Sequence, residues 1–230
     1  LHTAYRRQRQ MCIRDRISII NGKAENVVLN NGKKIPADLV ICNADPPTVY
    51  SEMLPSEYSR DSLLKPKKFT HYSMGLYVLF FGSKKKFSDV AHHTIWMSER
   101  YKELLHDIFE KKILTEDFSL YLHRPTATDD TFAPEGCDSF YVLCPVPNLQ
   151  GNVQWNSEGP KLKDRIVEAL DKTIMPGLKE NIEAEFWMTP EDFKNDYRSK
   201  YGAGFSVAPI FSPVSYTHLR AHETDSYRVC

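Results

Sequence analysis

EDFSLYLHRPTATDDTFAPEGCDSFYVLCPVPNL, residues 116–149, places two strand-like runs on either side of a turn-rich loop. Residues 118–122 and 139–146 are rich in the aromatic and β-branched types that fit a pleated surface. Between them Pro125, Asp129, Asp130, Pro134 and Gly136 supply turn chemistry, so the two runs are expected to pair as neighbouring strands. Upstream, YSMGLYVLFF at residues 72–81 reads as a third strand despite Met74 and Leu76. In the intervening segment Ser98 is placed to cap a helix, in which Tyr101, Leu104, Leu105, Ile108, Phe109 and Lys112 keep helical spacing with all but the last apolar.

Downstream, Pro160 suits the first turn of a second helix, where Leu162, Ile166, Leu170 and Ile174 recur every four residues until Pro176 and Gly177 stop it. A strand over residues 183–187 is followed by Thr189, Pro190, Glu191 and Asp192: a hydroxyl cap, a proline at the first helical position and acidic residues against the helix dipole. That helix is expected to run to about residue 200. Gly202 and Gly204 break it before a strand over 205–210, and their spacing points to a close backbone approach rather than a phosphate loop.

The N-terminal fifty residues read differently. Asn21-Gly22 and Asn31-Gly32 supply the positive φ that tight hairpin turns need, which predicts a ribbon of three short strands from residue 17 onward. Residues 37–42, ADLVIC, form a near-continuous apolar run of the kind buried on both faces of a parallel sheet. It ends at Asn43, Ala44, Asp45, Pro46 and Pro47, at the strand end where open α/β sheets place ligands; an Asx-turn before Pro46 is the alternative use of these residues.

Composition excludes several function classes. Residues 17–213 hold 23 basic and 27 acidic residues, so no nucleic-acid surface is implied. No apolar run reaches the length needed to span a bilayer. Cys42, Cys137 and Cys144 are odd in number and lack C-x-x-C spacing, which fits a reducing compartment. The histidines, including the adjacent His92 and His93, match no metal motif, and no metal is expected. G-x-S-x-G, H-E-x-x-H and the P-loop are absent, as is the dinucleotide fingerprint G-x-G-x-x-G. Lys84, Lys85 and Lys86 before Phe87 read either as a solvated hairpin tip or as an anchor on anionic headgroups. Residues 1–16 and 214–230 carry seven arginines and no lysine, against five arginines and eighteen lysines between them, and are read as adaptor read-through outside the fold.

EDFSLYLHRPTATDDTFAPEG (116–136), YVLCPVPNL (141–149) and FSVAPIF (205–211) together resemble the bacterial-type phytoene desaturases, and the hairpin followed by a strand ending in NADP resembles the wider amine-oxidase-like superfamily. The resemblance covers nearly all of residues 17–213. It implies an α/β fold with an α+β substrate region: a fragment of a two-domain FAD-binding amine-oxidase-like architecture, with the end of the FAD domain at 17–50, a mixed-sheet substrate domain at 51–200 and a return toward the FAD domain at 201–213. It implies FAD as cofactor of the full-length parent, with hydride passing to the isoalloxazine ring, and a long isoprenoid, phytoene, met peripherally at a membrane surface in the cytoplasm. Asn43, Ala44 and Asp45 become candidates for the flavin side, and Tyr77, Phe80, Tyr121, His123 and Phe205 for the wall of a substrate tunnel. Two parts of the family pattern, the N-terminal ADP-gripping turn and a glycine-rich segment expected after Phe211, are not in the sequence, and no catalytic residue can be matched. The alternatives are a related polyene enzyme (a carotenoid isomerase, a retinol saturase-like reductase or a C30 desaturase) and a module that binds isoprenoid without redox chemistry.

Overall fold

The computed structural model describes residues 14–59 and 70–208. The chain divides into two units, one holding residues up to Ser73 with Lys194–Lys200 and residues from Phe205, the other Met74–Phe193 with Tyr201–Gly204. The boundary therefore falls more than twenty residues beyond the expected one at residue 50.

In the first unit β1 (Arg14–Ile20), β2 (Lys23–Leu29) and β3 (Lys34–Pro36) form the antiparallel ribbon that the Asn-Gly pairs imply. Asn21 and Gly22 both sit at positive φ, 49° and 76°, which matches the turn to the twist of the strands. β1 starts at Arg14 and pairs with Leu29 and Val28 through residues 14 and 16. Three residues assigned to read-through thus continue the ladder, because backbone pairing is indifferent to side-chain origin. Val27 and Val28 are buried, and a short helix at Pro46–Thr48 runs into a wider turn at Val49–Met53 whose Val49 and Met53 are also buried and which packs on β1.

The expected strand at 37–42 does not form. Leu39 and Ile41 are 76% and 84% exposed, and no described strand runs beside them. A strand of that composition is stable only between partners that satisfy its backbone and cover both faces.

The second unit is built on a five-stranded sheet of order β5-β6-β7-β4-β8, antiparallel throughout: β4 (Gly75–Ser83), β5 (His93–Trp96), β6 (Leu120–His123), β7 (Asp138–Val146) and β8 (Ile182–Met188). β5 was not anticipated; its four residues carry two polar side chains and are too few for an alternation to stand out. β6 and β7 pair as expected, in the register Tyr121 to Leu143 and His123 to Tyr141. β7 alternates buried and half-buried positions along its length, the signature of a sheet covered on one face.

Two helices lie between these strands along the chain, and the second covers the buried face of the sheet. Helix α1 (Tyr101–His106) continues into a looser turn at Asp107–Lys111, and of its apolar residues Leu104 and Ile108 are buried while Tyr101 and Phe109 stay exposed. Ser98 accepts from the Arg100 N–H at its start. Helix α2 (Trp155–Lys172) is the main lid: Leu162, Ile166 and Leu170 are fully buried against Leu79, Leu122 and Val142. It begins five residues before Pro160, not at it. Buried Trp155 stacks on Tyr77, and the Tyr77 hydroxyl donates to the Gly159 carbonyl at 2.9 Å, so tertiary contact holds the turn that the proline would otherwise weaken.

Helix α3 (Pro190–Tyr197) is capped as expected: the Thr189 N–H and hydroxyl both donate to Asp192, at 2.7 and 2.8 Å. It stops three residues short of the expected end. A Cβ on Gly202 would collide with the Pro190 carbonyl, which confirms the close approach read from the glycine pair. In the expected strand at 205–210, Val207 makes a single bridge to Tyr72; residues 209 and 210 lie outside the described residues, as do 1–13 and 214–230.

Candidate functional site

Alternation along the strands sorts the expected tunnel residues onto two faces. Tyr77 falls with Leu79 and Phe81 on the face under α2, where it is fully buried, and burial pushes its hydroxyl well above the usual phenol range. It belongs to the packed core under α2, away from the open face. Phe80 points the other way.

On that open face, register aligns one side chain from each strand. His93 pairs with His123, His123 with Tyr141, Tyr141 with Phe80, and Phe80 with Phe186, so a single row crosses all five strands. Phe80 and Phe186 stack at 4.5 Å with an interplanar angle of 8°; Phe80 and Tyr141 lie 5.9 Å apart, and His123 meets Tyr141 edge-on at 4.8 Å. Tyr121 sits one row along, 5.8 Å from Tyr141. A shallow groove of ≈ 360 Å³ runs beside this row, its lining including Phe80, Tyr141, Phe186, Pro125, Ser139 and the carboxylate-bearing Glu185. Phe186 remains 53% exposed. Toward the start of β4 the same face is covered, since Leu76 and Val78, which share the parity of Phe80, are buried.

The groove offers apolar contact and little acid-base chemistry. Burial, with the Tyr121 hydrogen bond next, raises the Tyr141 hydroxyl above its usual range, so it stays protonated near neutrality. Burial and the neighbouring His92 and His93 hold the His123 imidazole below its usual range. The adjacent Arg124 turns to the interior. Its Nε donates to Asp138 at 3.1 Å and its Nη1 to the Val90 carbonyl at 3.0 Å, while Asp138 also accepts from the Thr126 hydroxyl and the Phe87 N–H. With side chains 8% and 0% exposed, this pair braces the loop after β6.

Phe87 is itself buried, stacked edge-on against Phe140, and Lys85 and Lys86 are engaged by the Pro176 carbonyl and by Asp130. The lysine cluster therefore lacks the apolar wedge an anchor needs. No described helix is long and apolar enough to cross a membrane.

The remaining expected site residues lie in the first unit. Phe205 is 59% exposed and is tied there by its N–H to the Ser73 hydroxyl. Asn43 is exposed, while Ala44 and Asp45 are half-buried. Asp45 Oδ2 accepts from the Lys200 N–H at 2.8 Å and from the Thr48 hydroxyl at 3.3 Å, whereas its Oδ1 is buried without a partner. An unsatisfied carboxylate oxygen suits a hydroxyl donor such as a flavin side chain offers. The fit to FAD stops there, since the sequence contains no glycine-rich turn to receive a pyrophosphate.

Sequence reasoning missed one grouping altogether. His92 and His93 come beside His123 only because β5 pairs with β6, and the three rings stack with centroids 4.3 to 5.1 Å apart. The pairing of a four-residue strand was the hidden signal.

No protein-family model matches the chain. It is 43% identical over 197 residues to a phytoene desaturase (neurosporene-forming) of Rhodobacter capsulatus, covering 82% of this chain and 37% of the relative. It is 39% identical over 207 residues to a phytoene desaturase (lycopene-forming) of Pantoea ananas, covering 88% and 41%. Among solved structures, cyclohexylamine oxidase from Brevibacterium oxydans superposes with a TM-score of 0.46 at 11% identity, over 81% of this chain and 35% of that one. Over most of its length this chain is therefore homologous to a segment of the bacterial phytoene desaturases, and it spans about two fifths of the relatives it matches.

Proposed function

We propose that the full-length parent is an FAD-dependent phytoene desaturase of carotenoid biosynthesis, introducing double bonds into a C40 isoprenoid, and that this chain carries much of its substrate-binding part. The observation that carries the reading is the 43% identity over 197 residues to a desaturase of that type. The aromatic row supports it. A polyene lying along Tyr141, Phe80 and Phe186 would bury apolar surface at roughly 25 cal/mol per Å². When bound, the flavin supplies the hydride acceptor. The chain's own residues bind and orient the polyene and exclude water.

A substrate this apolar resides in a bilayer, so the parent is assigned to a cytoplasmic membrane surface, docked by residues other than Lys84, Lys85 and Lys86. Expression of the full-length parent with a phytoene source is expected to yield lycopene or a shorter desaturation product, read by visible absorbance. Unchanged phytoene in the presence of folded, flavin-loaded protein would reject the assignment. Phe80→Ala in that protein is expected to raise KM for phytoene more than it lowers kcat, because the ring binds substrate rather than reacting.

A further inference from the structure

Where the aromatic row reaches the edge of the sheet, its side chains change from rings without donors to three imidazoles. His92, His93 and His123 each offer a ligand nitrogen, and the three atoms lie within 4.8 Å of one another. His92 Nε2 and His123 Nε2 are 2.8 Å apart, a contact in which one ring donates its proton to the other. A tetrahedral zinc site with Zn–N bonds of about 2.0 to 2.1 Å sets its nitrogens roughly 3.3 Å apart. The present spacing brackets that value, and a small fanning of the stacked rings about χ2, a soft torsion for histidine, would bring the three lone pairs to one point.

In two of the three rings the nitrogen not facing the cluster is engaged as a metal site requires. His92 Nδ1 lies 3.3 Å from the Thr128 hydroxyl and His93 Nδ1 2.7 Å from the Tyr121 hydroxyl, which leaves Nε2 of each ring for a ligand. His123 Nδ1 is buried and has no partner, so ligation through Nε2 leaves one buried N–H unmatched, a cost that the metal bond must offset. His93 is exposed and the other two half-buried, so the site opens to solvent on one side.

We propose that His92, His93 and His123 form a binding site for a divalent first-row cation, zinc foremost, with three imidazole ligands and one open position held by water. Imidazole donors favour zinc, copper, nickel or iron over magnesium and calcium. On binding, the ring that carries the proton between His92 and His123 shifts to its Nδ1–H tautomer, which frees its Nε2 lone pair for the metal.

The test is titration of the untagged, chelator-treated chain with Zn²⁺ by calorimetry, and with Co²⁺ by visible absorption. One saturable site per chain is expected, weakened by about 10-fold or more in His123→Asn and in His92→Asn, and unchanged in His106→Asn on α1. Loss of the site in His106→Asn, or its persistence in both cluster variants, would overturn the proposal. Should a cluster variant fail to fold, the unsubstituted chain still decides: an intense four-coordinate Co²⁺ band supports the site, and the weak spectrum of hydrated Co²⁺ refutes it.

Discussion

The two faces of the five-stranded sheet are made of similar residues and have opposite fates. Phe81 and Phe80 are neighbours on β4; the first is 4% exposed and stacked on Phe140 under α2, the second belongs to the open row with Tyr141 and Phe186. Aromatic content on a strand therefore reports burial only when something lies over that face. On one side the cover is a helix of this chain. On the other, the groove keeps the apolar surface that a polyene substrate would use.

The largest expected difference between the faces is in stability. Phe81→Ala, which empties a packed core position, is expected to cost about 3 to 5 kcal/mol. Phe186→Ala, which loses mainly the exposed stack on Phe80, is expected to cost less than about 1.5 kcal/mol. Urea unfolding of the two variants measures both. Comparable losses would mean that the open face is packed as tightly as the covered one, and the groove reading would fail.

A second difference should appear with pH. His123 titrates lower in the fold than the ordinary imidazole value of 6.5, so below 6.5 the unfolded chain binds more protons than the folded one. Its contribution is complete above that pH and declines as pH falls from 6.5 through the folded value. The covered face holds Cys144, whose thiol burial pushes up from 9.0 to about 12. Its contribution is present below pH 9 and is lost as pH rises from there toward 12, because only the unfolded thiol ionises in that window. Unfolding curves from pH 5 to 11 are expected to lose their acid slope in His123→Asn and to keep their alkaline one. An acid slope unchanged in that variant would place the titrating group elsewhere.

The smallest expected effect is that of FAD on this chain. Lacking a pyrophosphate turn, the 230-residue protein is expected to purify colourless and to give no saturable change in flavin fluorescence. Micromolar or tighter binding would show that Asn43, Ala44 and Asp45 with their neighbours are sufficient.

Local chemistry made much of this molecule legible from its residues. The Asn-Gly turns, the Thr189 and Asp192 cap, the four-residue repeat of α2 and the pairing of β6 with β7 each depend on neighbours within a few positions or on a short loop, so their physics is written in adjacent letters. The family motifs were legible for the same reason. Three outcomes were not. The 37–42 run has the composition of a central strand but no strand beside it among the described residues, Tyr77 joins the core through the parity of β4 and the position of α2, and the three histidines converge through the pairing of β5 with β6. Each is decided by what lies across a strand or over a face, in residues distant along the chain, and such proximity exists only after the sheet has closed.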